Sequence, residues 1–318
     1  MSRYAQRPID LSRLKTTGLA ERGGKVKVGD FAAPYAQGSG VAGLVASLPQ
    51  VLAAEHFRAV VDAIVAAKVQ GRAILWGLGG HVIKCGLAPV LIDLMRRGLA
   101  TGFALNGAAA IHDFEIAMAG HTSEDVEAVL PGGRFGTAEE TGREMNRAIV
   151  EGDRDGLGMG EALGRALSGL SVACPEASLL LNAYGAGVPV TVHVAIGTDT
   201  PHTYPAADGA AIGSTTLRDF RLFCSLATDL DGGGIYLNVG SAVLLPEVFL
   251  KAVSTVRNLG YPLTEFTTAN FDFLQHYRPR ANVVERPHAE AGGKGYAITG
   301  HHELMIPLLA AALIEKTA

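Results

Sequence analysis

The chain has 318 residues, 48% of them hydrophobic and 18% charged, which is ample apolar area for one large or two small packed units without cross-links. Its formal net charge of -4 lacks the dense positive field that a nucleic acid or an anionic membrane surface requires, so neither partner is expected. Cys85, Cys174 and Cys224 form an odd, scattered set without CxxC spacing, which argues against a disulfide framework or a thiolate zinc site and for a reducing compartment.

Residues 1 to about 48 are polar, mildly basic and Gly-rich, with Lys15, Arg22, Lys25 and Lys27, the composition of an extended arm that packs on a neighbouring subunit. Arg3, Arg7 and Arg13 stand there without the apolar stretch of a secretory signal. The late apolar run Leu304 to Ile314 is interrupted by Pro307 and is too short to span a bilayer, so a cytoplasmic protein is expected. From Ala53 a helical pattern runs through Val60, Val61, Ile64 and Val65, followed by a short strand, Ala73 to Trp76, closed by Gly77-Leu78-Gly79-Gly80. A helix is predicted over His81 to Arg97, a strand over Thr101 to Leu105, and then a Gly/Ala-rich turn, Asn106 to Ala110, that opens another helix. Two strand–turn–helix units in succession imply parallel strands with crossover helices.

Residues 123 to 170 read as a helical insertion punctuated by Gly132, Gly133, Gly152, Gly156, Gly158 and Gly160. Strand signals return at Val188 to Ile196, Ile235 to Val239 and Phe266 to Ala269, with helices near 214–227 and 247–258. The alternation predicts a Rossmann-like, doubly wound α/β unit over 49–318, its mainly parallel sheet covered by helices on both faces.

In such sheets ligands bind beyond the carboxyl ends of the strands, so the residues after each strand are the site candidates. They are Gly79, Gly80 and His81; Asn106, Gly107 and Ala108; Gly197, Thr198 and Asp199 with His202 and Asp208; Gly240 and Ser241; and Thr268, Ala269, Asn270 and Asp272. Small residues let backbone N–H groups approach a phosphate, and acids can hold ribose hydroxyls. Taken singly, each is better explained as a tight turn, and GxGxxG is absent. His112 and Asp113, near the start of the helix after Asn106, fit a ribose contact or an acid–base pair as well as a helix cap. His301-His302-Glu303, and Asp199 with His202, have metal-ligand types but no recognised spacing, so no metal is expected.

The stretch Gly79 to Asp125, together with Ala207-Asp208-Gly209, Leu237-Asn238-Val239-Gly240-Ser241 and Thr268-Ala269-Asn270-Phe271-Asp272, resembles the deoxyhypusine synthase family in order and spacing, over roughly residues 70 to 315. The resemblance implies a Rossmann-like fold, a homotetramer of paired dimers, and NAD near subunit interfaces. On that reading Asn106, Gly107, Ala108, Asp208, Thr268 and Ala269 meet the cofactor, with Gly80, His81, His112, Asp113, Gly240, Ser241, Asp272 and His301 around it. The family forms an imine on a lysine in a Trp-Gly-Lys motif after NAD oxidises a polyamine. Arg286-Pro287-His288-Ala289-Glu290-Ala291-Gly292-Gly293-Lys294 resembles that segment and puts Lys294 at the lysine, without the Trp. A desolvated Lys294 would expose a neutral amine, whereas lysines in Gly-rich loops are usually solvated.

Lys294, His288, His193 and Glu290 are thus the catalytic candidates. His193, His202, His276, Arg278, Arg280, Arg286, His288, His301 and His302 outnumber Asp272, Glu285 and Glu290 in the segments expected at the site. That balance suits an anionic or carbonyl-bearing substrate better than spermidine. The expectation is an NAD-dependent transferase acting on a small non-polyamine substrate through Lys294 as imine-forming nucleophile or base. The alternatives are a bacterial polyamine synthase of the homospermidine type, a non-redox lyase or transferase, and a catalytically silent nucleotide-binding protein.

Overall fold

The structure, a computed structural model, describes residues 2–290 and 292–317. Ala291, inside the segment expected to carry the lysine, lies outside the described residues. Residues 2–39 carry no helix or strand except a short 3-10 turn, Val28–Asp30, and are almost wholly exposed. Helices α1 (Gly40–Ser47) and α2 (Leu52–Val69) follow, and α2 turns Phe57, Val60, Val61 and Ile64 inward as the apolar spacing requires.

The sheet is built from β1 (Ile74–Leu78), β2 (Gly102–Asn106), β3 (Val190–His193), β4 (Gly234–Val239), β5 (Phe266–Asp272) and β6 (Lys294–Thr299). All pairings are parallel, in the order β3-β2-β1-β4-β5-β6. Between the strands lie α3 (Gly80–Lys84), α4 (Ala88–Arg96), α5 (Gly107–Ala119), α6 (Val126–Val129), α7 (Glu139–Arg154), α8 (Met159–Gly169), α9 (Leu179–Ala186), α10 (Gly209–Thr228), α11 (Leu244–Asn258) and α12 (Tyr277–Pro279), with α13 (His302–Thr317) closing the chain. One face buries Trp76, Phe103, Leu237 and Phe271 against α2, α5 and α13. The other buries Leu75 and Tyr236 against Phe223 of α10 and Phe249 of α11. Strands buried on both faces read as near-continuous apolar runs, as Ile74 to Leu78 does. Among the described residues no helix is long and apolar enough to cross a membrane.

The doubly wound order is thus as expected, and β1 and β4 are neighbours at the point where the winding reverses direction. The element ends differ from expectation. Gly77 and Leu78 belong to β1, because the Tyr236 ring of β4 fills the space a Cβ at Gly77 would take. The helix expected over His81 to Arg97 breaks between Cys85 and Leu87, where Gly86 adopts φ +86°. β5 continues to Asp272, three residues past its expected end, and β6 was not expected at all.

Candidate functional site

Three turns at the carboxyl edge of the sheet pack onto one another through their smallest residues. A Cβ on Gly79 would fall well inside contact distance of the Gly240 carbonyl oxygen. One on Gly80 would lie 2.9 Å from Ala108 Cβ and 3.3 Å from His112 Cδ2. Gly240 turns with φ +66°, and a Cβ there would lie 2.9 Å from His302 Cε1. The turns after β1, β2 and β4 therefore meet each other and the start of α13, the juncture at which doubly wound sheets bind ligands.

Around this juncture stands a group of rings. Phe273 and His301, both exposed, stack at 5.8 Å with an interplanar angle of 8°. Phe273 also presents itself edge-on to His81 at 6.1 Å and to His302 at 6.0 Å, and the two histidine rings are 5.4 Å apart. His302 is buried, and its Nε2 lies 3.2 Å from the Phe271 carbonyl and 3.9 Å from Asp272 Oδ1. A carbonyl only accepts, so Nε2 carries the proton and Nδ1, which has no partner, keeps its lone pair. Burial holds His302 below the ordinary histidine range despite the carbonyl and Asp272. Asn238, Asn270 and Gln275 join side chain to side chain at 2.7 Å each, and Gln275 donates on to the Ile298 carbonyl at 3.1 Å, so the ends of β4, β5 and β6 are tied together beneath the rings.

His112 lies beside Gly80 and belongs to a second hydrogen-bonded set. Thr122 Oγ1 donates to Glu115 and therefore accepts from His112 Nδ1 at 2.7 Å, which leaves His112 Nε2 free as an acceptor. Burial, aided by Lys84, lowers its pKa and keeps the ring neutral. Glu115 and Thr122 also line a cavity of 620 Å³ together with His121, Glu124, Asp125 and Glu140. Asp199, across the sheet edge from this set, faces Gly107, and its Oδ2 is buried without a partner. Burial raises Asp199 to about 6.

Of the expected site residues, the structure gathers Gly80, His81, Gly107, Ala108, His112, Gly240, Asp272 and His301 at this edge. Asn106, Asp208 and Ser241 lie at it too, but their side chains cap helices. Asn106 Oδ1 accepts from Ala109 N at 2.9 Å, Asp208 Oδ1 from Ala210 N at 2.8 Å, and Ser241 Oγ from Leu245 N at 3.2 Å. Asp113 is not a ribose ligand or an acid–base partner here. It is fully buried, accepts from Ser178 Oγ, Leu179 N and Leu180 N at the start of α9, and burial raises it to about 6.

Of the catalytic candidates, His193 ends β3 in register with Asn106 but is buried, and Lys294, His288 and Glu290 lie away from this edge. Lys294 opens β6, pairs in register with Thr267 and is exposed at the amino edge. A strand rises about 3.3 Å per residue, so about 17 Å separates Lys294 from Thr299 at the carboxyl edge. Thr268 and Ala269 are buried inside β5 rather than after it, and Thr268 Oγ1 donates to the Val283 carbonyl at 2.6 Å. His288 Nε2 meets Thr268 Oγ1 at 2.8 Å, and burial pushes His288 down to about 4. His193 is a core histidine, 3.0 Å from Thr191 Oγ1 and edge-on to Phe223, held at about 3 by burial. Glu290 is in an exposed turn. Arg278 and Arg280 pair with Glu247 at 3.2 Å and Glu285 at 2.8 Å, on the crossover between β5 and β6. Sequence reasoning missed Phe273 and Cys85 at this edge, and it weighed His302 and Glu303 only as metal-ligand types without a recognised spacing.

No protein-family model matches the sequence, and no curated protein matches it either. Solved structures do. A conserved candidate LOR/SDH protein from Methanococcus maripaludis S2 superposes with a TM-score of 0.53 at 13% identity, covering 85% of this chain and 72% of that one. Unliganded AgrE superposes with a TM-score of 0.51 at 14% identity, covering 82% of this chain and 33% of AgrE. This chain shares their fold. A candidate deoxyhypusine synthase from Entamoeba histolytica aligns over 89% of this chain and 96% of its own length, at 12% identity and a TM-score of 0.49. The Rossmann-like fold that the sequence resemblance implied is the one the chain shares with these structures. The chain spans about a third of AgrE, whose 33% coverage leaves most of that protein without a counterpart here.

Proposed function

We propose that this chain is an NAD-binding enzyme that acts on a small amine-bearing substrate at the carboxyl edge of its sheet. The observation that carries the reading is the convergence of the β1, β2 and β4 turns beside the exposed Phe273–His301 stack and the neutral, oriented His112. AgrE, which shares this fold, is known in a ternary complex with ornithine and NAD+. NAD would supply hydride transfer. The backbone of Gly80–His81 and Gly240–Ser241 and the aromatic face of Phe273 and His301 are the groups suited to hold it. The fit lies in those turns and rings, since the gaps left by the missing Cβ atoms of Gly79 and Gly80 are filled by Gly240 and Ala108.

His112 serves as general base, oriented by Thr122 and Glu115 so that Nε2 is free to take a proton. The amine class follows from Glu115, Glu124, Asp125 and Glu140 around the 620 Å³ cavity. A non-polyamine substrate was expected because cations were placed at the site. Arg278 is paired with Glu247 of α11 and Arg280 with Glu285 instead, so the aminoalkyl-transfer alternative gains weight. Assembly as a homotetramer in a reducing, cytoplasmic setting is part of the proposal, supported by Tyr4, Ile9, Leu14 and Leu19 exposed along the N-terminal segment and by three free cysteines.

Calorimetric titration with NAD+ and NADH tests the cofactor, and a hundredfold excess over Kd should raise stability by about 2.7 kcal/mol. Phe273→Ala should weaken binding and Lys294→Arg should not. No binding below millimolar concentration would end the cofactor reading. Diamines and amino acids assayed for NADH formation test the substrate class: His112→Ala should lose at least a hundredfold in turnover, and activity with anionic carbonyl compounds alone would overturn the amine assignment.

A further inference from the structure

His81 and Cys85 are four residues apart on α3, so their side chains share one face of the helix. The break at Gly86 leaves Cys85 at the helix end, where its N–H bonds the His81 carbonyl at 3.1 Å. The first turn of α13, from the far end of the chain, brings Glu303 to the same place. One ligand atom from each of the three lies within 4.8 Å of the other two. From these positions we propose that His81, Cys85 and Glu303 form a binding site for a divalent transition metal, Zn²⁺ by ligand type, at the mouth of the carboxyl-edge juncture.

An imidazole nitrogen, a thiolate and a carboxylate suit zinc, and three protein ligands with a fourth position open is the pattern of a reactive rather than a purely structural zinc site. Bond lengths of about 2.0–2.3 Å place tetrahedral ligand atoms about 3.3–3.7 Å apart, so the three atoms would have to draw together by no more than about 1.5 Å to share one ion. His302 supplies an independent observation. Its Nε2–H is bound to the Phe271 carbonyl, its unpartnered Nδ1 lone pair is buried, and its ring lies 5.4 Å from that of His81. A histidine whose second nitrogen donates to a backbone carbonyl is the usual form of a metal-binding histidine, and His302, beside His81, has that form. The sequence spacing gave no sign of the site, because its ligands come from opposite ends of the chain.

The full chain, stripped of metal with a chelator, is titrated with Co²⁺ and followed by absorbance, a readout independent of NAD and of turnover. The expected result is a stoichiometric thiolate-to-cobalt charge-transfer band with tetrahedral visible bands, displaced by Zn²⁺. Cys85→Ser should remove the charge-transfer band, and Glu303→Gln should weaken Co²⁺ at least tenfold and leave melting unchanged, because its side chain is exposed. Cys174→Ser and Cys224→Ser should keep the band. Absence of the band in the unmodified chain, or its survival in Cys85→Ser, overturns the proposal. Should Cys85→Ser fail to fold, unchanged affinity in Glu303→Gln overturns it instead.

Discussion

The two edges of the sheet are built from similar residue types and do opposite things with them. At the amino edge, Asp231 Oδ1 accepts from Thr264 N at 2.6 Å and Glu265 N at 3.1 Å, Arg257 donates to the Leu263 and Pro287 carbonyls, and His288 is locked onto Thr268. At the carboxyl edge, Phe273 and His301 stack in the open, and His302 and Asp199 hold buried polar atoms with no partner among the described residues. His288 Nδ1 at the amino edge is buried without a partner too, so what sets the carboxyl edge apart is its exposed ring stack rather than its unpaired polar atoms. The same comparison shows that availability for chemistry depends on the edge a residue reaches and on whether its side chain is buried there, as His193 is.

The largest expected effect tests whether Asp113 is scaffold rather than ligand. Asp113→Ala removes the acceptor for Ser178 Oγ, Leu179 N and Leu180 N, and leaving those donors unsatisfied should cost about 3–5 kcal/mol in chemical denaturation. A loss under about 1 kcal/mol would put Asp113 back among the functional candidates. Gly79→Ala comes next. The added methyl meets the Gly240 carbonyl, so about 1–3 kcal/mol of stability should be lost together with cofactor affinity, and a variant of normal stability and binding would show that the two turns are not in contact.

A smaller effect concerns pH. Burial raises Asp219 to about 7, while its Oδ2 accepts from Val192 N at 2.7 Å and Gly160 N at 2.9 Å. The folded chain then holds this proton more tightly than the unfolded chain, so stability should fall as pH rises from about 4 towards 7. Asp219→Asn should flatten that fall in urea melts, and an unchanged slope would assign it to Asp113 and Asp199, which burial raises in the same sense. The smallest effect expected is that of Lys294→Arg. It is exposed at the amino edge, so stability should move by less than about 0.5 kcal/mol and turnover by less than twofold. A collapse of activity would mean that Lys294 reaches the reaction from a neighbouring subunit.

Much of the fold was legible because parallel strands buried on both faces are short apolar runs ended by small residues, and β1, β2 and β4 have that form. The turns at 79–81, 106–108 and 240–241 were likewise readable as candidates. β6 was not, since Lys-Gly-Tyr-Ala-Ile-Thr is only weakly apolar and owes its strand conformation to pairing with β5. Missing it put Lys294 in a loop beside the site instead of at the far edge. Asp113 looked like a ligand because the helix it caps, α9, lies far along the sequence. The grouping of His81 and Glu303 with Cys85 escaped for the same reason, as proximity between chain segments leaves no local pattern.

The pairing of β1 with β4 joins Ile74 to Ile235, and this bears on how the protein is made. On a ribosome adding about 5–20 residues per second, β1 emerges roughly 10–30 s before β4 exists to cover its side. During that interval β2 covers one side of β1, and the other presents the backbone of Ile-Leu-Trp-Gly-Leu as an open template for wrong partners. His302 and Glu303 arrive later still, so the carboxyl-edge juncture cannot form on the nascent chain until α13 has emerged. The demand on chaperones should therefore peak mid-synthesis and end only when α13 docks.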